Sequence, residues 1–161
     1  MPISTRKVFV PVAELSFTDE SQTPKWRVFS GYEAVGPGTS RETTDGMVWS
    51  VSPCEWTVLG DRPDDSVDLT HVRSMFRLTG AEAPGLINRV CALDLGDGMF
   101  PDGAAARTLL AGIATEIVRD DEQGSPSYLL LPSSSFGTYV RNVIIDAGAE
   151  FGLVSPPNET L

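Results

Sequence analysis

The chain has 161 residues, 41% of them hydrophobic, and a formal net charge of −10. This length and composition fit one globular domain with its own core, and the acidic balance argues against binding to nucleic acid or to anionic lipid. Because no apolar run reaches about 18 residues and the first residues lack a charged region followed by an apolar one, we expect a cytoplasmic protein without a membrane span or a signal peptide.

The first 66 residues have the pattern of an antiparallel β-meander. In residues 7–12 the valines at 8, 10 and 12 alternate with Phe9 and Pro11, and the proline predicts an edge strand; residues 26–29 form a second strand candidate. Residues 47–51 and 55–60 predict a hairpin. Residues 36–46, between them, have turn and loop chemistry throughout, which predicts an exposed, mobile loop.

Residues 67–154 carry two apolar stripes at helical spacing. The first stripe is Ala83, Leu86, Ile87, Val90 and Cys91; the second is Phe136, Tyr139, Val140, Val143, Ile144 and Ala147. The serines at 133–135 are expected to cap the second helix, and Gly148 and Gly152 to end it.

Strand patterns surround these helices. They lie at residues 74–79, 104–118 with a break near Gly112, 127–131, and 150–154 as a closing strand. The unbroken apolar run in 127–131 predicts a central strand that is covered on both faces. The order predicts an α+β fold in which a ferredoxin-like split βαβ part, with both helices on one face of its sheet, packs beside the meander; residues 155–161 are a tail.

Candidates for chemistry are few. The only histidine, His71, lacks an orienting partner, because in an extended segment Asp68 would point to the opposite face, and we interpret it as a structural or interface residue. Cys54 and Cys91 are far apart and away from His71, so neither a metal site nor a disulfide is predicted. The acidic residues 120–122 precede a turn, and the glycines at 36–38 and 96–98 lack the context of a phosphate loop. No catalytic, cofactor-binding or metal-binding residue is assigned.

An ordered series of segments resembles the γ subunits of heterotetrameric sarcosine oxidases. The segments are 48–60, 68–73, 76–80, 91–95, 100–103, 128–132, 135–136 and 146–152. That family is itself similar to the aminomethyltransferase fold of the glycine cleavage system, and this chain resembles a truncated version of it, as a single domain over residues 1–161.

The resemblance implies a non-catalytic structural or assembly subunit of a heteromeric flavin-dependent oxidase, a demethylase of sarcosine or a related N-methylated amine (EC 1.5.3 class). The chain would then carry no catalytic residues, and whether it counts as an enzyme stays open. FAD, FMN, NAD and tetrahydrofolate are expected on partner subunits, namely α, β and possibly δ, and no cofactor is expected on this chain.

Two other hypotheses remain open. In the aminomethyltransferase fold the folate site uses an acidic pair, and Thr115 and Glu116 stand at that position here, so at best one of the two carboxylates remains. The alternative hypothesis is a stand-alone small tetrahydrofolate-binding or methyl-transfer accessory protein. It could also be a domain of unrelated function, since fold does not imply function. For a partner surface, the candidates are the meander's tryptophans and the segment around His71 and Arg73; the tryptophans are Trp26, Trp49 and Trp56.

Overall fold

A computed structural model describes residues 15–153; the predicted strand at 7–12 and the tail at 155–161 lie outside this range. The described part contains ten strands and two α-helices. The strands are β1 Ser16–Asp19, β2 Lys25–Val28, β3 Thr39–Thr43, β4 Gly46–Ser52, β5 Glu55–Leu59, β6 Val67–Asp68, β7 Phe76–Thr79, β8 Ala105–Leu110, β9 Ile113–Arg119 and β10 Ser127–Pro132, and the helices are α1 Ala83–Asn88 and α2 Gly137–Gly148.

The strands form two five-stranded sheets in which all the pairings are antiparallel. The inner sheet has the order β1-β7-β10-β9-β8, and the outer sheet has the order β3-β4-β5-β2-β6. Since β10 is antiparallel to both of its neighbours, β7 and β9 run parallel to each other on either side of it. The protein is therefore an α+β structure built on two antiparallel sheets.

The inner sheet is the middle layer of the molecule. On one face, Leu78 and Leu130 pack against helix residues such as Leu86 and Ile144. On the other face, Leu129 contacts the outer sheet. The prediction that both helices cover one face is confirmed, as is the prediction of a central strand at 127–131, because every residue of β10 is buried.

The outer sheet buries most of the tryptophan mass. Trp49 points toward the inner sheet and is fully buried, and Trp56 lies in a cluster on the far face, where its Nε1 donates to the Val35 carbonyl at 2.8 Å. Trp26 is half-buried, with the Arg62 guanidinium over its ring. Trp49 and Trp56 are therefore buried within this chain, and of the three tryptophan candidates for a partner surface only Trp26 is partly exposed.

The predicted irregular loop at 36–46 contains strand β3, which pairs with β4 at the edge of the outer sheet. Its residues are polar and mostly exposed. An edge strand with a solvated face needs no apolar side chains, so its composition resembled that of a loop.

The ends of the helices agree with the predictions only in part: α2 ends at Gly148, as predicted. Helix α1 ends at Asn88, and Cys91 pairs instead with Leu110 in an isolated bridge. Ser133 makes no side-chain capping hydrogen bond, since the Ser134 N–H is satisfied by the Val72 carbonyl at 2.9 Å.

On α2 the buried stripe is narrower than predicted: Val140 and Ile144 are buried, but Phe136 and Tyr139 are 46% and 48% exposed. The predicted closing strand at 150–154 is wrong in its described part, because Ala149–Phe151 form a 3-10 turn. The sheet edge beside β7 is taken by β1 from the other end of the chain. No helix within residues 15–153 is long and apolar enough to cross a membrane.

Candidate functional site

The most unusual side chain between the two sheets is Glu116 of β9, which is only 2% exposed. Its neighbours along the strand, Ile117 and Val118, are apolar and fully buried. A buried carboxylate costs several kcal/mol unless it is paired and hydrogen-bonded. The local structure must therefore provide donors for both carboxylate oxygens.

Two donors come from opposite sides of the cleft between the sheets. Arg107, the cross-strand partner of Glu116 in β8, donates from Nη2 to Oε1 at 2.8 Å. Trp49 of the outer sheet donates from Nε1 to Oε2 at 2.9 Å. Glu116 thus ties the sheets together through one hydrogen bond within its own sheet and one across the interface.

Two further arginines surround the same carboxylate. Arg27 of β2 reaches Glu116 Oε1 from Nη2 at 3.4 Å and also forms an ion pair with Glu55. Arg73, just before β7, has its Nη2 4.0 Å from Oε1 and donates from Nη1 to the Leu131 carbonyl at 3.3 Å. We call the five charged residues Arg27, Glu55, Arg73, Arg107 and Glu116 the Glu116 cluster.

The cluster determines the protonation of its members. Burial raises the pKa of Glu116, but the hydrogen bonds from Arg107 and Trp49 and the charges of the nearby arginines outweigh it, so the net pKa lies below the ordinary value. Burial likewise lowers the pKa of Arg27, against the charge of Glu116. Glu116 is therefore an ionised acceptor whose two oxygens are occupied, and it is poorly suited to take a proton from a substrate.

A second buried cation, Arg119, closes the far end of β9. It donates to Asp121 from Nε at 2.9 Å and to Asp97 from Nη1 at 2.6 Å, and Nη1 also bonds the Phe100 carbonyl at 2.9 Å. The hydrogen bonds that Arg119 donates to the Asp121 carboxylate raise the pKa of Arg119. The predicted solvated turn at 120–122 is thus only partly solvated, because Asp121 anchors a loop to the sheet.

Arg77 of β7 accounts for the other two acidic residues of that turn. It forms ion pairs with Asp120 at 3.0 Å and Glu122 at 3.3 Å, and with Glu20 at 3.0 Å. Both carboxylates are therefore paired with Arg77, and neither is free for acid–base chemistry.

The remaining sequence candidates are dispersed. His71 is exposed and lies in a turn rather than at the end of a strand. Cys54 is exposed and Cys91 buried, and both are free thiols. Among residues 15–153, no group of three or more histidine, cysteine or acidic side chains could hold a metal ion.

Part of the Glu116 cluster had a local signal in the sequence. A two-residue turn at Ala111 and Gly112 sets the register of the β8–β9 hairpin, and that register pairs Arg107 with Glu116. The predicted break near Gly112 lies at this turn and therefore carries the local signal for the pair. Arg27 and Trp49 have no such signal, because they reach Glu116 across sequence separations of 89 and 67 residues.

Fold and site together define an α+β protein of two antiparallel sheets that are joined through a buried ion cluster.

No protein-family model matches the sequence. The γ subunit of sarcosine oxidase from Corynebacterium sp. (strain P-1) is 37% identical over 93 residues, and the γ subunit from Arthrobacter sp. is 34% identical over 93 residues. Each match covers 58% of this chain but only 44% of the relative, so the alignment spans less than half the length of these relatives.

The fold is similar to that of a chain in a solved structure. This is the heterotetrameric sarcosine oxidase from Corynebacterium sp. U-96 in complex with pyrrole 2-carboxylate, with a TM-score of 0.75, 20% identity, and coverage of 92% of this chain and 90% of that chain. At that identity the match shows the fold. The sequence matches and the fold match both agree with the predicted resemblance of this chain to the γ subunits of sarcosine oxidases.

Proposed function

We propose that this protein is a structural or assembly subunit of a heteromeric, flavin-dependent oxidase that acts on sarcosine or a related N-methylated amine. The observation that carries the proposal is the sequence match to two sarcosine oxidase γ subunits. The fold match to a chain of a heterotetrameric sarcosine oxidase supports it. The partners would be the larger α and β subunits, and possibly a δ subunit, in the cytoplasm.

The Glu116 cluster supports a role without catalysis. The carboxylate that stands nearest to a folate position in the family resemblance accepts hydrogen bonds from Arg107 and Trp49 and is 2% exposed. Because both oxygens already accept hydrogen bonds and the side chain is buried, Glu116 is not accessible to a pterin ring. Under the proposal, the flavins, NAD and tetrahydrofolate bind to partner subunits, and oxidation of the N-methyl group occurs there.

We further infer that the inner sheet with α1 and α2 is a ferredoxin-like unit within a shortened aminomethyltransferase fold. The parallel pair β7 and β9, with β10 between them, supports this interpretation, because it is the strand arrangement of a split βαβ unit. In that unit the last strand would normally fill the edge beside β7, and here β1 fills it.

The test is expression of the oxidase subunits of the same organism with and without this chain. Without it, we expect a lower yield or a shorter lifetime of the soluble, flavin-containing complex, because a partner that binds the folded state stabilises it by mass action. The Michaelis constant of any complex that still forms should stay within about two-fold of that of the full complex. Normal assembly with complete loss of turnover would instead mean that this chain supplies a catalytic group.

A further inference from the structure

We propose that one of the larger oxidase subunits docks on the face beside the Glu116 cluster. It would present an Asp or Glu carboxylate to Arg107 and Arg73. The inference rests on the proposed function and names the surface and the chemistry of the contact. We call this surface the arginine face; it consists of Arg73, Arg107 and Leu109, and the exposed Phe29 and Val72 are assigned to it because they lie within two residues of Arg27 and Arg73 in the sequence.

The first argument comes from one face of β8. Residues Ala105, Arg107 and Leu109 point to the same side, because side chains alternate along a strand. Ala105 is 4% exposed beneath the outer sheet, the Arg107 side chain is 42% exposed, and Leu109 is 62% exposed. The inner sheet therefore extends beyond the cover of the outer sheet, and an uncovered strip of sheet face begins at Arg107.

The second argument is the pairing of arginine with exposed apolar side chains. Each of Arg27, Arg73 and Arg107 lies within two residues of one large hydrophobic side chain that is more than half exposed. These side chains are Phe29 at 60%, Val72 at 54% and Leu109 at 62%. Exposed apolar groups around arginine are typical of protein interfaces.

The third argument is charge. The cluster holds three arginines against two glutamates, Glu55 and Glu116, so it has one positive charge in excess within a chain of net charge −10. Glu116 is engaged on both oxygens, whereas Arg107 and Arg73 have side chains 42% and 23% exposed. A carboxylate is the group that complements a guanidinium through paired hydrogen bonds.

The shape of the surface favours a protein over a small ligand. Small-molecule sites are concave and bury most of the ligand, whereas three members of the arginine face are exposed by more than half. Such side chains protrude, and they are suited to insertion between the side chains of a partner.

The experiment measures binding of this full chain to the remaining oxidase subunits of the same organism, purified as a complex that was expressed without it, by biolayer interferometry. Leu109→Glu adds a negative charge and removes an apolar contact at an exposed position, so the fold should be retained. We expect binding at least about 10-fold weaker. Arg107→Glu should weaken binding as much or more, and its folding is checked by circular dichroism because Arg107 also bonds Glu116.

Matched controls separate this surface from general effects of charge. Met99→Glu changes another exposed apolar side chain, 72% exposed in the loop between α1 and β8, and Arg41→Glu reverses another exposed arginine on the edge strand β3. Both controls should bind within about two-fold of the wild type.

Two outcomes would contradict this inference alone. If the wild type binds and Leu109→Glu binds with an affinity within about two-fold of the wild type, the proposed function stands but the arginine face is not part of the interface. A wild-type chain that dimerises by sedimentation analysis, with Leu109→Glu monomeric, would make a second copy the occupant. If the wild type binds no oxidase subunit, the proposed function fails, and this inference fails with it.

Discussion

At the scale of single residues, the stability of this protein depends on the hydrogen bonds and ion pairs of the Glu116 carboxylate between the two sheets. Glu116 is surrounded by apolar strands and is ionised because Arg107 and Trp49 donate to it and two further arginines lie near it. Removing one partner of a buried ionic network is costly, because the opposite charges stay buried without compensation.

We predict that Glu116→Gln lowers the free energy of unfolding at pH 7 by about 3 kcal/mol, at the lower end of the range for broken buried pairs because Arg107 and Arg73 are partly hydrated. Urea unfolding followed by fluorescence measures this. Glu42→Gln, an exposed glutamate on β3, is the control and should change the free energy by less than about 0.5 kcal/mol. Equal effects of the two substitutions would show that the cluster does not stabilise the fold.

The same variant has a defined pH dependence. Since the pKa of Glu116 is lowered from its ordinary value of 4.5, its charge stabilises the fold fully above that value, and the contribution is lost as the pH falls through the lowered pKa. A glutamine does not titrate. The difference between wild type and Glu116→Gln should therefore be constant from pH 6 to pH 8 and narrow at acidic pH below the ordinary value.

At the scale of elements, the helix layer relies on a narrow apolar stripe. Helix α2 buries Val140 and Ile144 against the inner sheet, and Gly148 leaves room for Leu153, whose Cδ2 would lie 2.5 Å from a Cβ at that position. The helix has twelve residues, a length at which isolated helices are marginal in water. Packing of this stripe, rather than helix propensity, holds it in place.

We predict that Ile144→Ala lowers the free energy of unfolding by about 2–5 kcal/mol, because it removes fully buried methyl groups and leaves a cavity. The melting temperature should fall by at least about 4 °C. Asn142→Ala, at an exposed position of the same helix, should shift it by less than about 2 °C. An unchanged melting temperature for Ile144→Ala would contradict the burial of this helix face.

Local patterns predicted the elements well where each contains its own signal. The two-residue break at Ala111 and Gly112, both with positive φ, marks the β8–β9 hairpin, and the unbroken apolar run of β10 marks a strand covered on both sides. The edge strand β3 and the placement of β1 beside β7 were missed, because neither depends on local apolar periodicity. For the same reason only the Arg107 and Glu116 pair within the cluster was predictable.

At the scale of the whole molecule, the proposed binding of all cofactors to the partner subunits predicts that the isolated chain holds none of them. We expect the purified protein to be colourless, to show no amine oxidation, and to bind tetrahydrofolate no more tightly than about 1 mM. Absorbance after desalting and titration calorimetry measure these properties. Saturable micromolar binding of folate to the chain alone would favour the tetrahydrofolate-binding alternative. A flavin absorbance band would favour another cofactor-dependent role.

The position of β1 has a consequence for how the chain acquires its structure. Strand β1 precedes the entire outer sheet, β2 to β6, and yet pairs with β7, which follows that sheet. During synthesis β1 must remain without its partner until the outer sheet has been made, and its pairing then closes a loop that contains that sheet. Contacts of such long sequence separation slow folding, and we expect β1 to join the inner sheet late in folding.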